Sequence, residues 1–168
     1  MIVTNVVVRP GHAGDLPALT ALYNHYVERT HVTFDIEPFT VEQREAWFSH
    51  YGLTGRHRLL VAVVGDELVG YATSSKFRDR PAYDTSVETT VYVDDARGSR
   101  GVGTALYTAL FEALRGEDVH RAYAGVAWPN DASIALHRRF GFVEVGIYRE
   151  VGRKLGRYWD VSWFEKTL

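Results

Sequence analysis

Glu88 stands in SVETTVYVD, a run of β-branched and aromatic residues that reads as a strand. With a period of two, Ser86, Glu88, Thr90 and Tyr92 share one face, and Val87, Thr89, Val91 and Val93 the other. A carboxylate in such a strand either faces solvent or lines a site, where it could take a proton from a reacting group. His137 stands in WPNDASIALHRRFGF, where Asn130, Ser133 and His137 fall on one face of a short helix. An imidazole there could move a proton near neutral pH, or be an ordinary helix histidine. Between them, Gly98, Ser99, Arg100, Gly101, Val102 and Gly103 open a helix. The first amides of a helix have no partners within it, and the dipole adds positive potential, so the turn suits phosphate. It equally suits a plain strand-to-helix connection. Arg78 and Arg80, in KFRDRPAY beside the Glu88 strand, could fork onto a carboxylate or form a solvated pair.

The elements that must position these groups follow from periodicity and turn residues. Residues 2–9 read as a strand stopped by Pro10-Gly11. Asp15 can cap a helix with Pro17 in its first turn, and Leu16, Leu19, Tyr23, Tyr26 and Val27 line one face of it. Residues 28–39 lack a period, as functional loops often do. Thr40 with Gln43 is a capping-box pattern that opens a second helix to about His50. Gly65-Asp66 turns a hairpin, RDRPAYDT is a loop, and SVETTVYVD is the next strand. Residues 101–115 are helical, with Val102, Ala105, Leu106, Ala109, Leu110, Ala113 and Leu114 as the apolar stripe and Gly116 as the stop. RAYAGVAW is a strand, residues 131–139 a short helix, and the remainder two long strands joined near Lys154–Gly156. The order β-α-α-β-β-β-α-β-α-β-β predicts an α+β fold on one mixed sheet. The aromatic stripe Tyr158, Trp159, Trp163 and Phe164 reads as core or as a subunit interface.

At 168 residues the chain is expected to form a single domain, residues 1–168. A net charge of -2 gives no pull toward nucleic acid or an anionic membrane. There is no cysteine, which removes disulfides, thiolate metal sites and a cysteine acyl-enzyme, and fits a cytoplasmic location. The seven histidines show no metal-ligand spacing, so no metal is expected. No Gly-x-Ser-x-Gly elbow is present. The glycine turn lacks the lysine of a P-loop and the third glycine of a dinucleotide fingerprint. No run approaches the ~20 apolar residues of a membrane span.

VYVDDARGSRGVGTALYTAL resembles the acetyl-CoA pyrophosphate loop of the GCN5-related N-acetyltransferase (GNAT) superfamily, and WPNDASIALHRRFGF its second cofactor segment. YNHYVERTHVTFDIEP, GYATSSKFRDRPAYDTSVETTVYV and VGRKLGRYWDVSWFEK resemble the phosphinothricin and methionine sulfoximine acetyltransferases within it. The resemblance implies a mostly antiparallel mixed sheet splayed into a V between the strands ending at Val93 and Trp128. It implies acetyl-CoA in that V, with Tyr92 and Val93 along the pantetheine arm and the Tyr92 amide as oxyanion donor. Arg100, Gly101, Val102, Gly103 and Thr104 would hold the pyrophosphate, with Asn130 and Ser133 beside the arm. It makes Glu88 the general base and His137 a proton donor or acceptor. Arg78 and Arg80 would hold the substrate carboxylate, with Lys76 and Tyr83 nearby in the substrate site, and Phe34 would cover its side chain, although Phe34 also reads as a core anchor. The implied reaction is direct acetylation of the amino group of a small amino acid analogue by a homodimer. Another amine, a protein N-terminus, or a silent acyl-CoA-binding domain are the other readings. The family carries Gln or Arg where this chain has Gly98, with Arg97 one place earlier.

Overall fold

The computed structural model describes residues 6–97 and 101–168. Among these, seven strands and four α-helices occur in the expected order. They are β1 (Val6–Pro10), α1 (Leu16–Arg29), α2 (Val41–Phe48), β2 (Arg58–Val64), β3 (Glu67–Lys76), β4 (Ser86–Val93), α3 (Val102–Ala113), β5 (Arg121–Ala127), α4 (Asp131–Arg139), β6 (Val143–Lys154) and β7 (Arg157–Thr167). The strands form one sheet in the order β1-β2-β3-β4-β5-β7-β6. Every neighbouring pair is antiparallel except β4 and β5, which run parallel.

That parallel pair makes the site possible. It is in register only from Ser86 to Glu88 against Arg121 to Tyr123. Beyond Glu88 the two strands part, and the sheet opens into the expected V. Helix α3 covers one face, where Leu106 and Leu110 pack on Val87, Ala122 and Phe164. Helix α1 covers the other, where Leu19, Tyr23 and Val27 pack on Leu59, Val61 and Tyr71. Buried Leu16, Leu19, Tyr23 and Val27 keep the three-to-four spacing of an amphipathic helix.

Local signals behave as their chemistry dictates. Thr40 Oγ1 accepts from the Gln43 N–H at 3.3 Å while Gln43 Oε1 accepts from the Thr40 N–H at 2.8 Å, a complete capping box. Asp15 is different. It occupies the N-cap position of α1 without a side-chain cap bond. Its carboxylate instead accepts two hydrogen bonds from the Arg9 guanidinium, both at 2.7 Å. A bidentate ion pair with a guanidinium outweighs a single bond from a backbone N–H, and it fastens β1 to the start of α1. Among the terminal aromatics, Trp159 and Phe164 are buried and Tyr158 is exposed.

Candidate active site

Strand β4 sorts its groups by parity. The Asp94 N–H bonds to the Val69 carbonyl, and the β3–β4 register is regular from there to Val87. The peptide groups of Glu88, Thr90 and Tyr92 therefore turn toward β3. Those of Val91 and Val93 turn toward the V, where β5 has already diverged. The resemblance had offered the Tyr92 amide to the V, but Tyr92 pairs through its backbone with Tyr71. The side chains divide the other way. Glu88, Thr90 and Tyr92 share the α1 face, where Tyr92 meets the edges of Tyr23 and Tyr26 of α1 at 5.3 and 5.1 Å. Thr89 points to the α3 face, where Tyr107 Oη lies 3.4 Å from its hydroxyl.

Glu88 is half-buried, level with Ser75 of β3 and Tyr123 of β5 at the fork itself. Burial pushes its carboxyl above the usual glutamate range, and the nearby Arg78 charge offsets part of the rise. Arg78 is exposed and lies over the Phe77 ring, 4.7 Å from its centre. Phe77 in turn stacks on Tyr123 at 4.3 Å and meets the edge of Tyr83 at 6.0 Å. The loop after β3 thus brings Arg78 and Tyr83 round to the Glu88 side. Arg80 lies exposed in the same loop. Lys76 does not join them. It lies opposite Val87 rather than opposite Glu88, so strand alternation turns it to the other face, and its ammonium pairs with Asp79 at 3.6 Å.

His137 approaches from the opposite face of the sheet. It is 3% exposed, enclosed by Tyr107, Phe142 and Phe164. Its Nδ1 lies 2.7 Å from the Ser133 carbonyl and 3.3 Å from the Ser133 hydroxyl. A carbonyl accepts only, so Nδ1 carries the proton and Nε2 accepts the Tyr107 O–H at 2.9 Å. Burial holds the ring below the usual histidine range, although the Ser133 carbonyl opposes the shift, so it is neutral near pH 7. Tyr107 escaped the sequence reading. It lies in the apolar part of α3, and its partner is 30 residues away.

Where the strands part lies a cavity of about 590 Å³, which His137 lines and which begins on β4 at Thr89, one residue beyond Glu88. Its walls include Thr89, Thr90, Val91, Tyr92 and Val93 of β4, Gly125 of β5 and His137 of α4, so Tyr92 borders the cavity although its amide turns toward β3. Gly101, Gly103 and Thr104 stand at its α3 end. Gly101 has φ 86°, a left-handed conformation that glycine adopts without strain and that lets α3 start abruptly. Gly103 has another cause than close approach of a ligand. A Cβ there would lie 3.1 Å from Leu136, so its lack of a side chain lets α4 pack on α3. Val102 is core, leaving only its backbone for the cavity. Gly98, Ser99 and Arg100 lie outside the described residues, as does the side chain of Arg97. Asn130 caps α4, its Oδ1 accepting from the Ser133 N–H at 3.1 Å, and also lines the cavity. Tyr26, on α1, donates its hydroxyl to the Val93 carbonyl at 2.5 Å and closes the mouth on that side.

A parted pair of parallel strands, a helix N-terminus at one end and a half-buried carboxylate at the fork suit an elongated anionic cosubstrate and a basic acceptor. Residues 10–163 match the acetyltransferase (GNAT) domain family. This chain belongs to the GNAT acetyltransferases. The phosphinothricin N-acetyltransferase of Streptomyces coelicolor is 59% identical to this GNAT enzyme over 97% of the chain and 96% of its own length. The L-methionine sulfoximine/L-methionine sulfone acetyltransferase of Pseudomonas aeruginosa is 34% identical, over 96% of this chain and 94% of its own. The solved phosphinothricin acetyltransferase of Sinorhizobium meliloti, in complex with AcCoA, superposes with a TM-score of 0.91 at 28% identity, over 97% and 88% of the two chains. The GNAT enzyme described here is an acetyl-CoA-dependent N-acetyltransferase. Among its described residues no group of three potential ligands is placed to hold a metal ion, and no helix is long and apolar enough to cross a membrane.

Proposed function

We propose that this enzyme transfers the acetyl group of acetyl-CoA directly to the amino group of a small amino acid analogue of the phosphinothricin or methionine sulfoximine type. The observation that carries the reading is the fork of β4 and β5, which sets a half-buried carboxylate beside a cavity bordered by a helix N-terminus. The relatives' names supply the acceptor class.

The chain's own groups divide the work. Backbone amides from Gly101 to Thr104 hold the pyrophosphate, with the α3 dipole behind them. The cleft-facing peptide groups of Val91 and Val93 hold the pantetheine arm, and Asn130 and Ser133 flank it. The Val91 N–H takes the oxyanion role in place of Tyr92. Arg78 and Arg80 fork onto the acceptor carboxylate, Tyr83 borders it, and Phe34 covers the acceptor side chain. Glu88 takes the ammonium proton, directly or through a water, and its raised pKa makes it a stronger base than an exposed glutamate. The amine nitrogen then bonds to the thioester carbon, the carbon–sulfur bond breaks, and the second proton that the nitrogen gives up goes to the departing thiolate. His137 stands on the thioester side. Both its nitrogens are engaged, so it passes that proton only by exchanging its bond to Tyr107 or to Ser133.

Thiol release measured with methionine sulfoximine and with a peptide amine tests the proposal. The free amino acid analogue should show a kcat/KM higher by about 10²-fold or more, because a carboxylate-binding cation left unpaired rejects the wrong substrate. A preference for the peptide would overturn it. Tight acetyl-CoA binding with no thiol release from either amine would leave a binding module instead.

A further inference from the structure

Gly152 lies in β6 opposite Trp159. Its φ is outside the left-handed region, so its backbone would accept any residue. Glycine in a strand interior is otherwise unfavourable. What excludes a side chain is one ring. A Cβ built on Gly152 would lie 2.2, 2.4 and 2.6 Å from Cε2, Cζ and Cδ2 of Phe34, distances that no real contact allows.

The loop that carries Phe34 cannot simply lift away. The Tyr23 hydroxyl is 2.7 Å from the Thr33 hydroxyl and also donates to the Asp35 carboxylate, on the two sides of Phe34. Lys154, two residues beyond Gly152, donates its buried ammonium to the Thr33 carbonyl at 2.8 Å. His31 stacks on Trp159 at 4.1 Å, with an Nε2 contact of 2.9 Å to the Pro129 carbonyl. The same loop gives His31 and Val32 to the cavity wall, and the β6–β7 turn gives Leu155. With the backbone clamped on both sides, a group added at position 152 must swing the Phe34 ring about its own side-chain torsions.

We propose that Gly152 is a specificity-determining position: the bare backbone of β6 seats the Phe34 ring, and through that ring fixes which amino acid side chains are accepted. The inference rests on Phe34 covering the acceptor side chain, as proposed above. Three full-length variants test it: Gly152→Ala, Phe34→Ala and the double substitution. Each is assayed for KM and kcat/KM with methionine sulfoximine and a panel of amino acids of differing side-chain length, for the KM of acetyl-CoA, and for melting temperature. Gly152→Ala should lower kcat/KM for methionine sulfoximine by about tenfold and reorder the panel, the scale expected when a pocket wall moves by about one methylene. The KM for acetyl-CoA should stay unchanged. The double variant should be no worse than Phe34→Ala, because the methyl then meets nothing, and it should melt higher than Phe34→Ala, since alanine suits a strand better than glycine.

Additive losses, or a Gly152→Ala enzyme with the parent's selectivity, would overturn the proposal. An inert Phe34→Ala would instead remove the role given to Phe34, which separates the two failures. If Gly152→Ala alone does not fold, Gly152→Ala with Phe34→Leu keeps an apolar cover small enough to clear the methyl. Its recovery of fold and acceptor activity supports the seat, and its failure counts against it.

Discussion

Glu88 is under two opposing influences. Burial raises the Glu88 carboxyl, and the Arg78 charge pulls it part of the way back. The base works ionised, so the acid limb of kcat/KM should lie above the ordinary glutamate value of about 4.3. Glu88→Gln should erase that limb and lower kcat by about 10²–10⁴ at neutral pH, with less loss at high pH where free amine is already present. Arg78→Ala removes the opposing charge, so the limb should move to higher pH. A pH–rate profile of the three enzymes decides, and an unmoved limb in Arg78→Ala would break the coupling. Glu88 was legible in the sequence because strand parity is local, so its face could be counted from Ser86 to Tyr92. Tyr107 was not, because its meaning comes from His137 on another helix. Lys76 was misplaced for a related reason. Closeness in sequence to Arg78 said nothing about which face a strand-end side chain would take.

At the level of elements, the helices and strands were readable wherever the signal lay within a few residues. The Thr40–Gln43 box and the Gly65-Asp66 turn need no distant partner. The Asp15 cap failed because Arg9, six residues away in another element, made a stronger offer for the same carboxylate. Nothing local tells how far β4 and β5 run together, since that depends on α3 and α4 packing across the gap. Strand parity gives this fork a measurable signature. Amide hydrogens of Thr90 and Tyr92 are bonded to β3, whereas those of Val91 and Val93 look into the V. Hydrogen exchange should alternate along the strand, faster at Val91 and Val93 than at Thr90 and Tyr92, and acetyl-CoA should slow the fast pair. Uniform exchange along β4 would contradict the register argument.

Across the whole molecule, β6 is one edge of the sheet, opposite β1, and Val143, Val145, Ile147, Tyr148 and Val151 are all exposed along it. A long apolar edge strand is a template for further pairing unless something covers it. We propose that a second copy does so. Sedimentation should give twice the 19.0 kDa chain mass, and Ile147→Lys should reduce it to one. A monomeric parent protein would dismiss the idea. The sequence showed these apolar residues but not that they share an exposed edge, because the placement of β6 outside β7 is a property of the assembled sheet. The sheet also keeps the two side chains proposed to handle protons apart, with Glu88 on the α1 face and His137 on the α3 face. Two reactants that meet through a slit, each entering by its own doorway, do not block one another. If Glu88 and His137 take the roles proposed for them, initial-rate and product-inhibition kinetics should show no compulsory order of binding, and a strictly ordered pattern would speak against two separate approaches.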